Sequence, residues 1–212
     1  MMKRIFLLGS TIMLTVCLCS LPATAGTIFD DFGPNNGYNC CVGWTVSGAA
    51  SPVGQFIAAN EFTAGLSGAV NEIDIALALI TGTGNATVSL YTVGNTGLPD
   101  VLLGSWAVTA HNDVETILVS NGPDLASGTE YFMVLQADDV TWDAWDWNIT
   151  GATGIDLFST DNMNSWTNNG IQTLGAFRVL GQPTGVPEPG TLIMLGSGVL
   201  AAAGVIRRKF NA

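Results

Sequence analysis

Glu72-Ile73-Asp74-Ile75-Ala76-Leu77-Ala78-Leu79 alternates a large apolar residue with a polar or small one. Successive side chains of a strand point to opposite faces. This period of two therefore predicts a strand with Ile73, Ile75, Leu77 and Leu79 on a core face. The alternation recurs at Val88 and Leu90, set among Thr87, Ser89 and Tyr91. At Tyr131, Met133 and Leu135 the intervening Phe132 and Val134 are apolar as well, which predicts a strand buried on both faces. Further strands are expected at 54–63, 101–109, 114–119, 144–149 and 171–180. Turn-forming clusters separate them: Thr81-Gly82-Thr83-Gly84-Asn85, Gly94-Asn95-Thr96-Gly97, Asn121-Gly122-Pro123 and Asn168-Asn169-Gly170. Short strands punctuated this often predict an all-β, antiparallel β-sandwich or jelly roll. No helical pattern interrupts them, and no repeat with a period of roughly 20–50 residues is visible.

Outward from this region both ends change character. Lys3 and Arg4 precede an apolar run, Ile5 to Leu18, and Ala23-Thr24-Ala25 is a small-x-small cleavage site. That is the pattern of a signal peptide over 1–25, with Ala23 and Ala25 as the small residues just before the cut and Gly26 starting the mature chain. Cys17 and Cys19 raise the alternative of a lipoprotein. They follow Val16 and Leu18, which are too large for the small position a lipobox requires. At the other end Val186-Pro187-Glu188-Pro189 is followed by an uncharged apolar run, Gly190 to Ile206, and then by Arg207-Arg208-Lys209. A run of about 17 residues is a minimal transmembrane helix, and the basic triplet should stay on the cytoplasmic side. The two prolines isolate this helix from what precedes it. The expected organisation is a signal peptide at 1–25, an exported sandwich domain at 26–182, and a tail at 183–212 holding the membrane helix 190–206.

This partition sharpens the charge. Five of the six Lys and Arg residues lie in the terminal segments, leaving Arg178 alone in the body. Of the 17 acidic residues only Glu188 lies outside it, so one cation faces sixteen carboxylates. Such a body repels DNA, RNA and anionic lipid, and nucleic acid is excluded as a partner. Divalent cations and basic partners remain compatible with it.

The C-terminal segment resembles the PEP-CTERM sorting signal of Gram-negative bacteria. The resemblance is carried by Val186, Pro187, Glu188 and Pro189, the apolar run, and Arg207 and Arg208. It implies recognition by an exosortase, a membrane-embedded cysteine transpeptidase, which removes the tail near the Pro-Glu-Pro. The protein would be anchored briefly by its helix and then passed to the cell surface or extracellular matrix, in a setting of exopolysaccharide and biofilm. The body is similar to choice-anchor domains, type R, over residues 28–180. Asn39-Cys40-Cys41-Val42-Gly43-Trp44-Thr45-Val46-Ser47-Gly48, Gln55-Phe56, Glu61-Phe62-Thr63, Val88-Ser89-Leu90-Tyr91 and Gly97-Leu98-Pro99 carry that likeness. It implies no activity.

Few residues of the body invite chemistry. Cys40 and Cys41 are its only cysteines. An oxidising compartment favours pairing, and the alternatives are a strained vicinal disulfide, two free buried thiols, or bridges between molecules. His111 sits in Thr109-Ala110-His111-Asn112-Asp113, a turn where a solvated surface group is the ordinary outcome. A hydrolytic triad needs more than one such group, and no Gly-x-Ser-x-Gly elbow occurs in the body. A pair of carboxylates suited to glycoside hydrolysis cannot be picked out among sixteen acids. The sequons at Asn85 and Asn148 carry no weight in a bacterial chain.

The densest patch is Asp138-Asp139-Val140-Thr141-Trp142-Asp143-Ala144-Trp145-Asp146-Trp147. Asp138, Asp139, Asp143 and Asp146 are candidate calcium ligands, although their spacing is not that of an EF-hand loop. Trp142, Trp145 and Trp147 are candidate platforms for stacking on sugar rings. On a strand Trp145 and Trp147 would share one face and Asp146 the other. The plainer alternative is that the indoles fill the core while the acids face water. The function expected from the whole chain is that of a non-enzymatic surface or matrix protein without a cofactor, calcium being the one candidate. A carbohydrate-binding module for exopolysaccharide is the second expectation and a secreted hydrolase the third.

Overall fold

Thirteen strands run through the described part of the chain: β1 (Gly26–Asp30), β2 (Tyr38–Ser47), β3 (Ile57–Thr63), β4 (Gly68–Thr81), β5 (Asn85–Val93), β6 (Pro99–Thr109), β7 (Asp113–Leu118), β8 (Asp124–Leu125), β9 (Glu130–Ala137), β10 (Trp142–Asn148), β11 (Thr153–Ser159), β12 (Thr167–Thr173) and β13 (Phe177–Pro183). A short 3₁₀ turn, Pro34–Asn36, joins β1 to β2. The structure is a computed structural model that describes residues 25–183 and Gly196. Residues 1–24 of the signal peptide, with Ala23 of the cleavage site, and the sorting tail with Val186, Pro187, Glu188, Pro189, Arg207 and Arg208 lie outside those residues, whereas Ala25 and Gly26 lie within them. The apolar run 190–206 also lies outside them, apart from Gly196. Among the described residues no helix is long and apolar enough to cross a membrane.

The strands form two antiparallel sheets, as the alternation predicted. One has the path β1-β13-β4-β10-β2, with β7 and β8 also paired to β4; the other runs β12-β11-β3-β9-β5-β6. Strand β4 organises the first sheet. Ile75 pairs with both Phe177 and Glu115, and Leu77 with both Trp145 and Asp113. Hence β13 and β10 share one edge of β4, one after the other, while β7 takes the opposite edge.

Ile73, Ile75 and Leu77 are fully buried between the sheets, and so are Val88, Leu90, Met133 and Leu135 from the facing sheet. The expectation for β9 holds on both faces. Tyr131, Met133 and Leu135 join the inter-sheet core, while Phe132 and Val134 join a second cluster with Ile57, Ala59 and Leu157. Burial on this scale, at about 25 cal/mol per Å² of apolar surface, is the main force holding the sheets together.

Strands β1, β2, β8 and β11 lie outside the expected spans, and two expected segments are arranged differently. The span 171–180 divides into β12 and β13, because Leu174-Gly175-Ala176 leaves the second sheet and feeds the first. Gly175 passes so close to Trp145 that a Cβ would stand 2.4 Å from the indole. Asn168-Asn169-Gly170, expected as a turn between strands, lies inside β12, where the pairing with β11 shifts register.

Candidate functional site: an acidic strand and an aromatic cleft

Strand β10 carries most of the candidate residues, wedged between β2 and β4. Asp143 and Trp145 sit on its core-facing side and are both 0% exposed. Trp145 packs on Phe177 and donates its indole N–H to the Ala176 carbonyl. That enclosure removes Trp145 as a stacking platform for a glycan: it is a core residue. Trp142 and Trp147 are half-buried, each with an indole N–H that is shielded and without a hydrogen-bond partner. Trp147 meets Trp44 edge-on at 5.5 Å. The three indoles therefore form no common exposed surface.

The acids of the same strand are also separated. Asp143 has no hydrogen-bond partner on either oxygen, and burial raises its pKa to about 7, helped by the charge of Asp138. Asp146 is 1% exposed and burial raises it to about 6, against the pull of the Cys41 amide. Asp138 accepts a hydrogen bond from Thr83 Oγ1 at 2.6 Å, and its hydrogen bonds with Thr141 and Thr83 lower its pKa. Asp139 is exposed. Among the described residues no group of three or more His, Cys, Asp or Glu side chains converges on a point. Strand alternation and the 138–141 turn place the four candidate calcium ligands, Asp138, Asp139, Asp143 and Asp146, in different surroundings.

A bulge explains the cysteines. Asp146 pairs with Gly43, but the next residue, Trp147, pairs with Asn39, so Cys40, Cys41 and Val42 loop out of the ladder. Cys41 adopts φ 72°, and both cysteines are exposed as free thiols, with the Cys41 sulfur 3.3 Å from that of Cys40. Of the alternatives open in the sequence, burial of the pair is overturned, because the bulge faces solvent. The hydrogen bond between the two sulfurs, and after it the electrostatic influence of Cys40, push the Cys41 pKa upward. His111 is exposed and hydrogen-bonds Glu115, four residues on.

Arg178, the body's lone cation, is committed to structure. It donates from Nε to Asp74 at 2.9 Å and from Nη1 to Asn36 at 3.1 Å, and it stands over the Phe32 ring at 5.7 Å. Asp74, 2% exposed, also accepts from Thr116 Oγ1 at 2.6 Å. A polar hollow beside this pair is lined by Asn35, Tyr38, Glu72 and Asp113.

The second concavity has no signature in the sequence. The sheets part along the edge where β2 faces β3, β11 and β12. There a cleft of about 330 Å³ is lined by Trp44, Phe56, Ala58, Phe158, Asp156 and Asn169, with Gly43 and Thr45. Trp44 is fixed by its indole N–H to the Thr173 carbonyl at 3.0 Å. Phe56 and Phe158 pack together at 5.9 Å. Asp156, 1% exposed, accepts from Asn60 Nδ2 at 2.8 Å and from Asn169 Nδ2 at 2.6 Å. Burial raises its pKa to about 6, and the two amides hold it from going higher. Asn60 is itself locked, because its Oδ1 accepts the Gly175 amide at 2.8 Å. Sequence reasoning missed these residues because they come from four distant segments that only strand pairing brings together.

Comparison with known proteins bears on the tail. Residues 185–209 match the family model of the PEP-CTERM protein-sorting motif. No curated protein matches the chain. The match covers the tail and leaves the body outside it. The motif supports recognition by an exosortase, and it marks the protein for export and sorting to the cell envelope or surface.

Proposed function

We propose that this protein is a non-enzymatic surface or matrix component, held briefly in the inner membrane by its C-terminal helix and released when an exosortase cuts the tail. The sorting motif at 185–209 carries this reading. The body supports it in three ways. Its single histidine is exposed and hydrogen-bonds Glu115. Its one cation is tied to Asp74. Among the described residues its two-sheet core is contributed by residues between Ile28 and Val179.

Intact-mass measurement of the surface-released protein tests the reading. The expected form begins at Gly26 and lacks the 190–206 run. Recovery of an intact C-terminus from cells with an active exosortase would replace sorting by permanent anchoring. Substitution of Pro187 and Pro189 by alanine should leave the protein in the membrane fraction.

A further inference from the structure

The cleft between β2 and the β3–β11–β12 edge has the composition of a ligand site more than of a packing flaw. Small-molecule sites are concave, largely apolar, and carry a few convergent polar groups. Here three aromatic side chains, Trp44, Phe56 and Phe158, share the lining with one carboxylate and one carboxamide. Asp156 is pre-oriented by Asn60 and Asn169, and each of its oxygens has accepted a single hydrogen bond where two can be accommodated. A second lone pair on each remains for a donor entering the cleft.

The chemistry narrows the occupant. A wholly apolar ligand would leave the spare acceptor capacity of Asp156 unused in a site from which water had been displaced. Anionic ligands, including nucleotides and uronic-acid chains, meet that carboxylate and a body of sixteen acids against one arginine. A neutral ring that is apolar on its C–H face and rich in hydroxyl donors around its rim satisfies both demands. Aromatic faces take the C–H face, and a carboxylate with a neighbouring amide takes the hydroxyls. We propose that this cleft binds a neutral hexopyranose unit of a polysaccharide, with Trp44, Phe56 and Phe158 contacting the ring and Asp156 and Asn169 receiving its hydroxyl groups. The site sits where β2 faces the β3–β11–β12 edge. Its lining residues all belong to the body.

Affinity electrophoresis of the body, Gly26 to Gly185, tests this in gels containing dextran, hydroxyethyl cellulose, β-1,3-glucan or galactomannan. Polygalacturonate serves as the acidic counterpart. Retardation is expected in at least one neutral gel and absent in polygalacturonate. Trp44→Ala and Phe158→Ala should each weaken that retardation roughly tenfold or more. Leu118→Ala, on an exposed position of β7, should leave it unchanged. Thermal melting identifies which variants are folded, and the comparison uses those alone. If both cleft variants lost their fold, Asn169→Ala, on an exposed position of β12, takes their place with the same expected loss. Failure of the wild-type body to be retarded in any neutral gel would overturn the proposal. So would retardation confined to polygalacturonate, or wild-type retardation in the folded cleft variants.

Discussion

Asp156 and Asp143 lie on strands of opposite sheets, are equally hidden from water, and are both pushed toward the neutral form by burial. Their surroundings differ. Asp156 is held by two amides at the mouth of an aromatic cleft, while Asp143 faces the core with neither oxygen partnered. A buried polar group is tolerable when its hydrogen bonds are supplied and costly when they are not. The first carboxylate is therefore built into its site, and the second is a weak point of the core. The contrast separates acid burial that prepares a surface for a ligand from acid burial that the fold merely endures.

The largest expected effect breaks the supported side. Asn60→Leu removes the donor to Asp156 and the acceptor of the Gly175 amide together. Two buried groups would lose partners, at about 4 kcal/mol in all. The melting temperature should fall by roughly 10 °C or more. A loss of less than about 1 kcal/mol would mean that water reaches both groups.

The unsupported side should respond with the opposite sign. Asp143→Leu at pH 8 is expected to stabilise the body by about 2–4 kcal/mol, because it removes a buried charge that nothing compensates. The pH dependence follows from the folded pKa. Unfolded Asp titrates near 3.9 and folded Asp143 near 7, so the folded state holds the extra proton between about 4 and 7. Stability of the wild type therefore rises as pH falls through that window, by up to about 1.4 kcal/mol per unit. The gain from Asp143→Leu should shrink by the same amount per unit and be small near pH 5. Asp31, raised to about 8 by burial, and Asp146, raised to about 6, add to the wild-type trend in the same direction. Denaturant midpoints at pH 5 and pH 8 measure both effects. Equal stability at the two values would mean that these carboxyls are hydrated in the folded body.

Smaller effects sharpen the boundary of the weak region. Cys40→Ser with Cys41→Ser changes exposed atoms on a bulge, so the reduced protein should shift by less than about 0.5 kcal/mol. A larger loss under oxidising conditions alone would reveal a vicinal bond. Calcium at millimolar concentration should move the melting temperature by no more than ionic-strength-matched sodium does, because the β10 acids do not converge. A specific calcium shift that Asp143→Asn abolishes would assign the two unpartnered oxygens to a cation.

Legibility in the sequence followed the same division. Strand β4 could be read because its apolar residues alternate without interruption, and β9 because both of its faces are apolar. In β2 three residues leave the ladder at Cys40–Val42, which destroys the period that would have revealed it. Strand β11 begins Thr153-Gly154-Ile155-Asp156, and its buried Asp reads locally as a turn residue. The tryptophan cluster on β10 reads locally as a glycan platform, but one strand cannot present three neighbouring indoles to the same side. The cleft draws on positions 44, 56, 158 and 169, which are neighbours only after both sheets have formed. The tail was readable without any fold, since its order of turn, apolar run and basic cluster is local.

The comparison is tested most directly by a two-dimensional amide spectrum of the ¹⁵N-labelled body, titrated with the neutral oligosaccharide that the gels select. The expected result is a saturable shift of the Trp44 indole N–H and the Asn169 side-chain amide, with the Trp142 indole and the Asp143 amide unmoved. Shifts centred on Trp142 and Asp143, or no saturable shift anywhere, would contradict the assignment of the supported carboxylate to binding and the unsupported one to the core.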